Sequence, residues 1–359
     1  MSDRFNRVCH PGKYIKEDLE DLNMSIKEFS LRAGISERTL SDLLAGKGNM
    51  TFNIAKKLED YFNISAETWM ALQTAYDNYL CEEENNIERE NDYNAIKKYK
   101  AYLIDNNLIN GNESNEEMVD SVRRNICVNQ LCALYNCDFG VVYKEQKNQK
   151  GDPFAKNFWI AYALTEARKI ETPPFNKNEL FMSIKEIRRL TTLSPKDFIP
   201  RLKEIFTRCG ISFVYIPYLK QSNIYGATKW LSSDKVMLAI SNRNERADVF
   251  WFTLFHEMAH VIFEHKRYYL FQGADIKDER ADALAQDFLI DNINYQEFVK
   301  RNVFSEASIS IFAKEEGILP MIVIGRLQKD GYVSYNKSFP NLYAKYDEAD
   351  LRDSFRKVQ

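Results

Sequence analysis

From residue 14 to residue 75, apolar positions recur at helical spacing and are divided into short segments by caps and glycines. Ser25, followed three residues later by Glu28, predicts a capping box at the head of one helix, IKEFSLRA, which Gly34 stops. Ser36 caps the next, ERTLSDLLA, which Gly46 ends. Two such helices joined by a Gly-Ile-Ser turn predict a helix-turn-helix, with Phe29, Ala33, Ile35, Leu40 and Leu43 available for a small core. Neither Gly nor Pro occurs between Asn49 and Asn110, so helix continues to be predicted there, with the acidic run CEEENNIEREND at 81–92 as a hinge. The polar loop QKNQKGDP at 146–153 and the turns ETPPFNKNEL and LSPKD follow, with Ser194 capping a helix that runs to about Cys209. The period then changes: ISFVYIP (211–217) and KVMLAIS (235–241) read as strands, the second as the candidate sheet edge. FAKEEGILPMIVIGRLQKDG (312–331) reads as helix, Gly turn and helix packed against the domain core. The pattern therefore predicts a mainly α protein with a small β-sheet, the α+β class, behind an all-α N-terminal module.

Composition narrows the class further. The chain has 359 residues, 45% hydrophobic content and a formal net charge of −3, which suits two or three ordinary globular domains. It lacks an apolar run of about 18 residues, and MSDRFNRVCHPGK carries no apolar signal core, so neither a membrane span nor secretion is expected, and the cytoplasm is. Cys9, Cys81, Cys127, Cys132, Cys137 and Cys209 show no C-x-x-C spacing and read as free thiols.

Candidate chemistry concentrates in one stretch. The chain has four histidines, three of them (His256, His260 and His265) inside FWFTLFHEMAHVIFEH. His256, Glu257 and His260 form H-E-x-x-H, which on a helix sets two imidazoles one turn apart on one face. Zinc takes two neutral imidazoles from such a turn, and Glu257 can then act as general base toward the attacking water. Asp248 is the expected N-cap, and the surrounding apolar residues predict a buried helix whose polar members need a reason to be there. His265 lies off the metal-facing turn and reads as a partner of the helix dipole. A third ligand is expected from KDERADALAQDFLI. There Asp278 and Asp282 are spaced i, i+4, so one can reach the metal while the other supports a histidine N–H, with Glu279 as the competing ligand. Tyr225, Arg243 and Arg246 are open candidates for stabilising an oxyanion.

The blocks FWFTLFHEMAH and ERADALAQDFLI, with YGATKWLSSDKVMLAIS ahead of them, resemble the ImmA/IrrE family of metallopeptidases over roughly residues 155 to 330. The resemblance implies a zincin-like domain that binds Zn²⁺ and cleaves a protein. The family's later motif reads like E-x-x-A-N/D-x-F-A-x-x-L-L. Aligned on Ala281 and Asp282, its glutamate ligand falls on Asp278, a departure that leaves the third ligand open between Asp278 and Glu279.

In the N-terminal module the second helix is expected to enter the major groove of DNA. Ser36, Glu37, Arg38, Thr39 and Ser41 would face base edges, and Lys47 and Asn49 would reach phosphate. Residues 1–75 hold ten Lys plus Arg against eleven Asp plus Glu, so the counterion-release contribution is weak and affinity is expected to require a homodimer. The run from His10 to Gln73 resembles the HigA-type antitoxin branch of the XRE helix-turn-helix family. That implies repression of the protein's own promoter through operator DNA, with a toxin as partner. The expected division is 1–80 for DNA binding, 81–155 for the hinge and a helical middle, 156–335 for the peptidase and 336–359 for a tail. Two functions are open: a DNA-binding regulator or antitoxin fused to an endopeptidase that cleaves a repressor or toxin, or a non-enzymatic antitoxin whose peptidase-like domain senses a ligand or binds a toxin.

Overall fold

The computed structural model describes residues 8–145, 151–263 and 274–356, with the side chains of 142–145 and 274–278 outside the described set. His265 lies outside the described residues as well. Contacts divide the chain into two compact units, residues 1–91 and 92–359.

The first unit is built from α1 (Pro11–Asp21), α2 (Ile26–Ala33), α3 (Glu37–Leu44), α4 (Phe52–Phe62) and most of α5 (Ala66–Ile96). Side-chain caps set the helix starts. His10 Nδ1 accepts from the Gly12 N–H at 3.0 Å, and burial lowers the His10 pKa, which keeps that nitrogen an acceptor. Ser25, Ser36 and Thr51 accept from the third N–H of α2, α3 and α4. The predicted box at Ser25 is half made, because the Glu28 carboxylate accepts from Arg32 Nε one turn on. Gly34 ends α2 at φ 62°. Ile15, Phe29, Leu40 and Trp69 are buried at the centre of the unit. The acidic run at 81–92, expected as a hinge, is helical throughout as part of α5, and the division between the two units falls at its C-terminal end. It contains no Gly or Pro, its glutamates are good helix formers, and their exposed charges stay solvated without breaking the backbone ladder.

The second unit continues with a short 3₁₀ turn at Lys97–Tyr99, α6 (Lys100–Asp105), α7 (Asn115–Ile126), a 3₁₀ turn at Leu131–Tyr135, β1 (Val142–Glu145), α8 (Pro153–Lys169), α9 (Lys177–Leu190) and α10 (Pro195–Arg208). Then come β2 (Ile211–Tyr215), β3 (Ile224–Trp230), β4 (Val236–Ile240), α11 (Ala247–Ile262), α12 (Ala274–Leu289), α13 (Asn292–Lys300), α14 (Glu306–Glu316), α15 (Pro320–Lys329) and α16 (Glu348–Arg356). The strands form one sheet in the order β1-β3-β4-β2, with β2 and β4 parallel and the other pairs antiparallel. KVMLAIS is therefore a central strand and not the expected edge. Val236–Ile240 are all buried, and a short continuous apolar run is what a strand covered on both faces requires.

The sheet separates two apolar cores. Phe213, Val236, Leu238 and Ile240 face the core of α9, α10 and α11, while Val214, Met237 and Ala239 face that of α7 and α8. Residues 336–356, expected as part of a tail, contribute to the first of these cores. Leu351 and Phe355 of α16 are buried, and Tyr346 Oη accepts from Trp251 Nε1 of α11 at 2.7 Å.

Candidate metal centre and candidate nucleic-acid interface

Helix α11 is apolar almost all round and runs through the core, so the titratable residues of its third and fourth turns are buried with it: His256 is 1%, Glu257 0% and His260 1% exposed. Charged or titratable groups are costly in such surroundings unless they are paired or bind a cation. The two imidazoles converge. His256 Nε2 and His260 Nε2 stand 3.0 Å apart, with ring planes at 79°.

The other nitrogen of His256 is held from α12, where Asp282 Oδ1 lies 2.7 Å from Nδ1. A carboxylate there fixes the tautomer with the proton on Nδ1 and the lone pair on Nε2, the form that ligates a metal. Asp282 is supported in turn by Lys329 of α15, whose ammonium lies 3.1 Å from Oδ2. A tetrahedral zinc with Zn–N bonds of about 2.0–2.1 Å places its two ring nitrogens about 3.3 Å apart, so this donor pair fits zinc with little adjustment.

Glu257 projects toward β3, where Thr228 Oγ1 donates to its Oε2 at 2.8 Å. Gly226, two residues earlier on the same strand face, makes the approach possible. A Cβ there would stand 2.8 Å from both Glu257 Cγ and Thr253 Cγ2. Gly226→Ala is expected to cost about 1–3 kcal/mol of stability through overpacking. It should also displace Glu257, so a thermal melt and an activity assay that both match the wild type would show this contact to be unimportant.

Of the expected i, i+4 pair, Asp282 is the member seen on a histidine. Asp278 sits one helical turn earlier in α12, and its side chain lies outside the described residues. Glu279 is exposed. Among the described residues no group of three His, Cys, Asp or Glu side chains forms a complete metal cage. Asp248 is not the N-cap; Arg246 holds that position, and its guanidinium makes a two-point pair with the Asp248 carboxylate at 2.7 and 3.0 Å. Arg243 stacks over Tyr218 and Tyr225, and Tyr225 Oη lies 3.2 Å from Asn244 Nδ2. The three oxyanion candidates thus have structural engagements of their own. The sequence reading missed Thr228, Gly226 and Lys329. The period-2 spacing of Gly226 and Thr228 on a strand preceding H-E-x-x-H is a signal for the first two, whereas nothing local marks Lys329.

The helix-turn-helix is α2 and α3. Phe29, Ala33, Ile35, Leu40 and Leu43 are all buried, as expected of its core. Ser36, Glu37, Arg38, Thr39, Ser41, Lys47 and Asn49 are all exposed along α3 and the turn that follows it. Ser36 and Thr39 share a 2.7 Å hydroxyl contact while Ser36 caps α3, so both are committed to the first turn. Arg38 offers a guanidinium suited to bidentate contact with guanine.

Residues 15–69 match the family described as Helix-turn-helix. Over 78 residues the chain is 37% identical to the uncharacterized HTH-type transcriptional regulator YddM of Escherichia coli K12, a match covering 22% of this chain and 81% of that protein. It is 38% identical over 75 residues to virulence-associated protein A' of Dichelobacter nodosus, covering 21% of this chain and 65% of the relative. A solved structure of a candidate antidote protein of a plasmid maintenance system from Nostoc punctiforme is 27% identical, covers 24% of this chain and 93% of its own, and has a TM-score of 0.23. No described helix is long and apolar enough to cross a membrane.

Proposed function

The chain belongs to the helix-turn-helix family, and from that premise we propose a transcriptional regulator that binds operator DNA through α3 and carries a zinc-dependent endopeptidase in its second unit. The observation that carries the second half is the convergence of His256 Nε2 and His260 Nε2 at 3.0 Å, with Asp282 fixing the tautomer of His256. These two nitrogens, with a carboxylate from Asp278 or Glu279, would hold zinc, which supplies Lewis acidity at a scissile carbonyl when bound. The protein's own residues do the rest. Glu257, set in place by Thr228, takes a proton from the attacking water and passes it to the leaving amine. Burial of the site excludes bulk water and strengthens each electrostatic contact. A regulatory protein, either a repressor or a toxin, is the proposed substrate.

To test the reading, the full-length zinc-loaded protein is incubated with the products of neighbouring genes and fragments are mapped by mass spectrometry. Cleavage that vanishes in Glu257→Gln is expected. If nothing is cut and Glu257→Gln changes nothing, repression is the whole function and the second unit serves as a ligand- or toxin-binding surface.

At the other end of the chain, binding to a palindrome with half-sites about one helical turn apart is expected from a homodimer. Arg38→Ala should weaken specific binding by about 1–3 kcal/mol if its side chain reads a guanine. Equal affinity for operator and random DNA in a gel-shift titration, with no change in the variant, would contradict the assignment of α3.

A further inference from the structure

The sheet has an edge that the metal centre does not use. β2 is its outer strand, and β4 lies between it and β3, the strand that meets Glu257. The Ile216 N–H donates to the Ile240 carbonyl at 3.0 Å, which fixes the parity of the parallel pair. Residues 212, 214 and 216 therefore turn their main-chain groups toward β4, whereas Phe213 and Tyr215 turn theirs outward. Among the described residues, none of those outward N–H and C=O groups has a hydrogen-bond partner in the protein. Unpaired groups along a strand edge are a template for a further strand.

A cavity of about 1180 Å³ runs along this edge, walled by α8 on one side and by α10 and α16 on the other. Residues 213–216 all line it. Successive side chains of a strand point to opposite faces, so a cavity that touches all four lies across the edge itself. Its volume exceeds the roughly 300–1,000 Å³ of a small-ligand pocket. Five Lys or Arg side chains line it against two glutamates. Among the described residues, two of these cations, Lys203 and Arg356, have no carboxylate partner. They donate to main-chain carbonyls instead, Lys203 to Phe355 at 2.6 Å and Arg356 to Asp105 at 3.1 Å. Burial holds the Lys203 pKa below the usual lysine value with nothing acidic to offset it.

We infer that this groove binds an extended acidic segment of a partner protein, which joins the sheet as an outer strand beside β2 and sets its carboxylates on Lys203 and Arg356. Main-chain pairing supplies affinity in such an addition, and the charged walls choose the partner. A small anion would meet the two cations but leave Phe213 and Tyr215 unpaired, a helix has no main-chain groups to offer them, and a basic segment is repelled. None of the residues lining the groove belongs to the metal centre, so the inference holds whether or not the second unit is a peptidase.

The test titrates the full-length protein, in a Glu257→Gln background that prevents cleavage, with fluorescent hexapeptides that alternate Val with Glu, Gln or Lys, read by anisotropy. The Glu peptide is expected to bind on the order of 10-fold tighter than the Gln peptide, the scale of one charge-assisted hydrogen bond, and the Lys peptide should be weakest. Two N-methylated forms of the Glu peptide, one blocking every Val N–H and the other every Glu N–H, should differ by on the order of 10-fold, because only one set faces β2. Lys203→Met and Arg356→Glu should each remove most of the preference for Glu over Gln at an unchanged melting temperature. Arg356 is exposed, so its variant decides the matter if Lys203→Met fails to fold. Equal binding of the Glu and Gln peptides, equal affinity of the two N-methylated forms, or a preference untouched by Arg356→Glu overturns the inference. Displacement of the Glu peptide by an equal concentration of citrate would mark a small-anion pocket and overturn it as well.

Discussion

Glu257→Gln is expected to lower peptide cleavage by on the order of 10²- to 10⁴-fold while leaving zinc content and thermal stability near those of the parent. The amide keeps the shape of the carboxylate and can still accept from Thr228, which donates to Oε2 at 2.8 Å, so the local packing survives. What it loses is the ability to take up a proton. An uncharged group at a position 0% exposed also avoids the desolvation cost of a carboxylate, so the variant should be no less stable than the parent. Cleavage retained within a few-fold in the variant, at equal zinc content, would remove Glu257 as the general base.

Asp282→Ala is expected to weaken zinc binding by about 10- to 100-fold, the usual effect of removing a group that orients a ligating histidine. Two contacts set the size of the effect: Asp282 accepts from His256 Nδ1 at 2.7 Å, and Lys329 holds the second carboxylate oxygen at 3.1 Å. Without the carboxylate, His256 can place its proton on either nitrogen and its ring can turn, so fewer molecules present the Nε2 lone pair. Lys329→Met, which removes the outer contact and leaves the inner one, should give a smaller loss in the same direction. Chelator competition reads both. An affinity in Asp282→Ala equal to the parent's would mean that the imidazole is positioned by packing alone.

The parts legible in the sequence are those carried by local spacing. Caps three residues from their targets and a buried quintet on two short helices and the turn between them defined α2 and α3, and the i, i+4 histidines defined the third and fourth turns of α11. The i, i+4 aspartates also pointed to a carboxylate behind a histidine, which Asp282 is. Contacts that depend on tertiary pairing were not legible. KVMLAIS reads the same whether it lies at the edge or the centre of a sheet, and only its pairing with both β2 and β3 decides. Thr228 and Lys329 acquire roles because β3 and α15 pack against α11, which no window of sequence contains. Charge density marks the acidic run at 81–92 as a hinge, and the division between the two units does fall at its C-terminal end, but the backbone there is helical. Helix propensity and the absence of a breaker outweigh that repulsion in α5.

The most direct measurement is the zinc content of the full-length protein purified without added metal, determined by elemental analysis beside His256→Ala, His260→Ala, Asp278→Ala and Glu279→Ala. About one zinc per chain is expected in the parent, since two imidazoles, one carboxylate and water complete a four-coordinate site. Both histidine variants should fall close to zero, and one of the two carboxylate variants should follow them and thereby identify the third ligand. A parent protein that binds no divalent metal stoichiometrically, or a zinc content unchanged by His256→Ala and His260→Ala, would contradict the assignment of this centre and with it the peptidase.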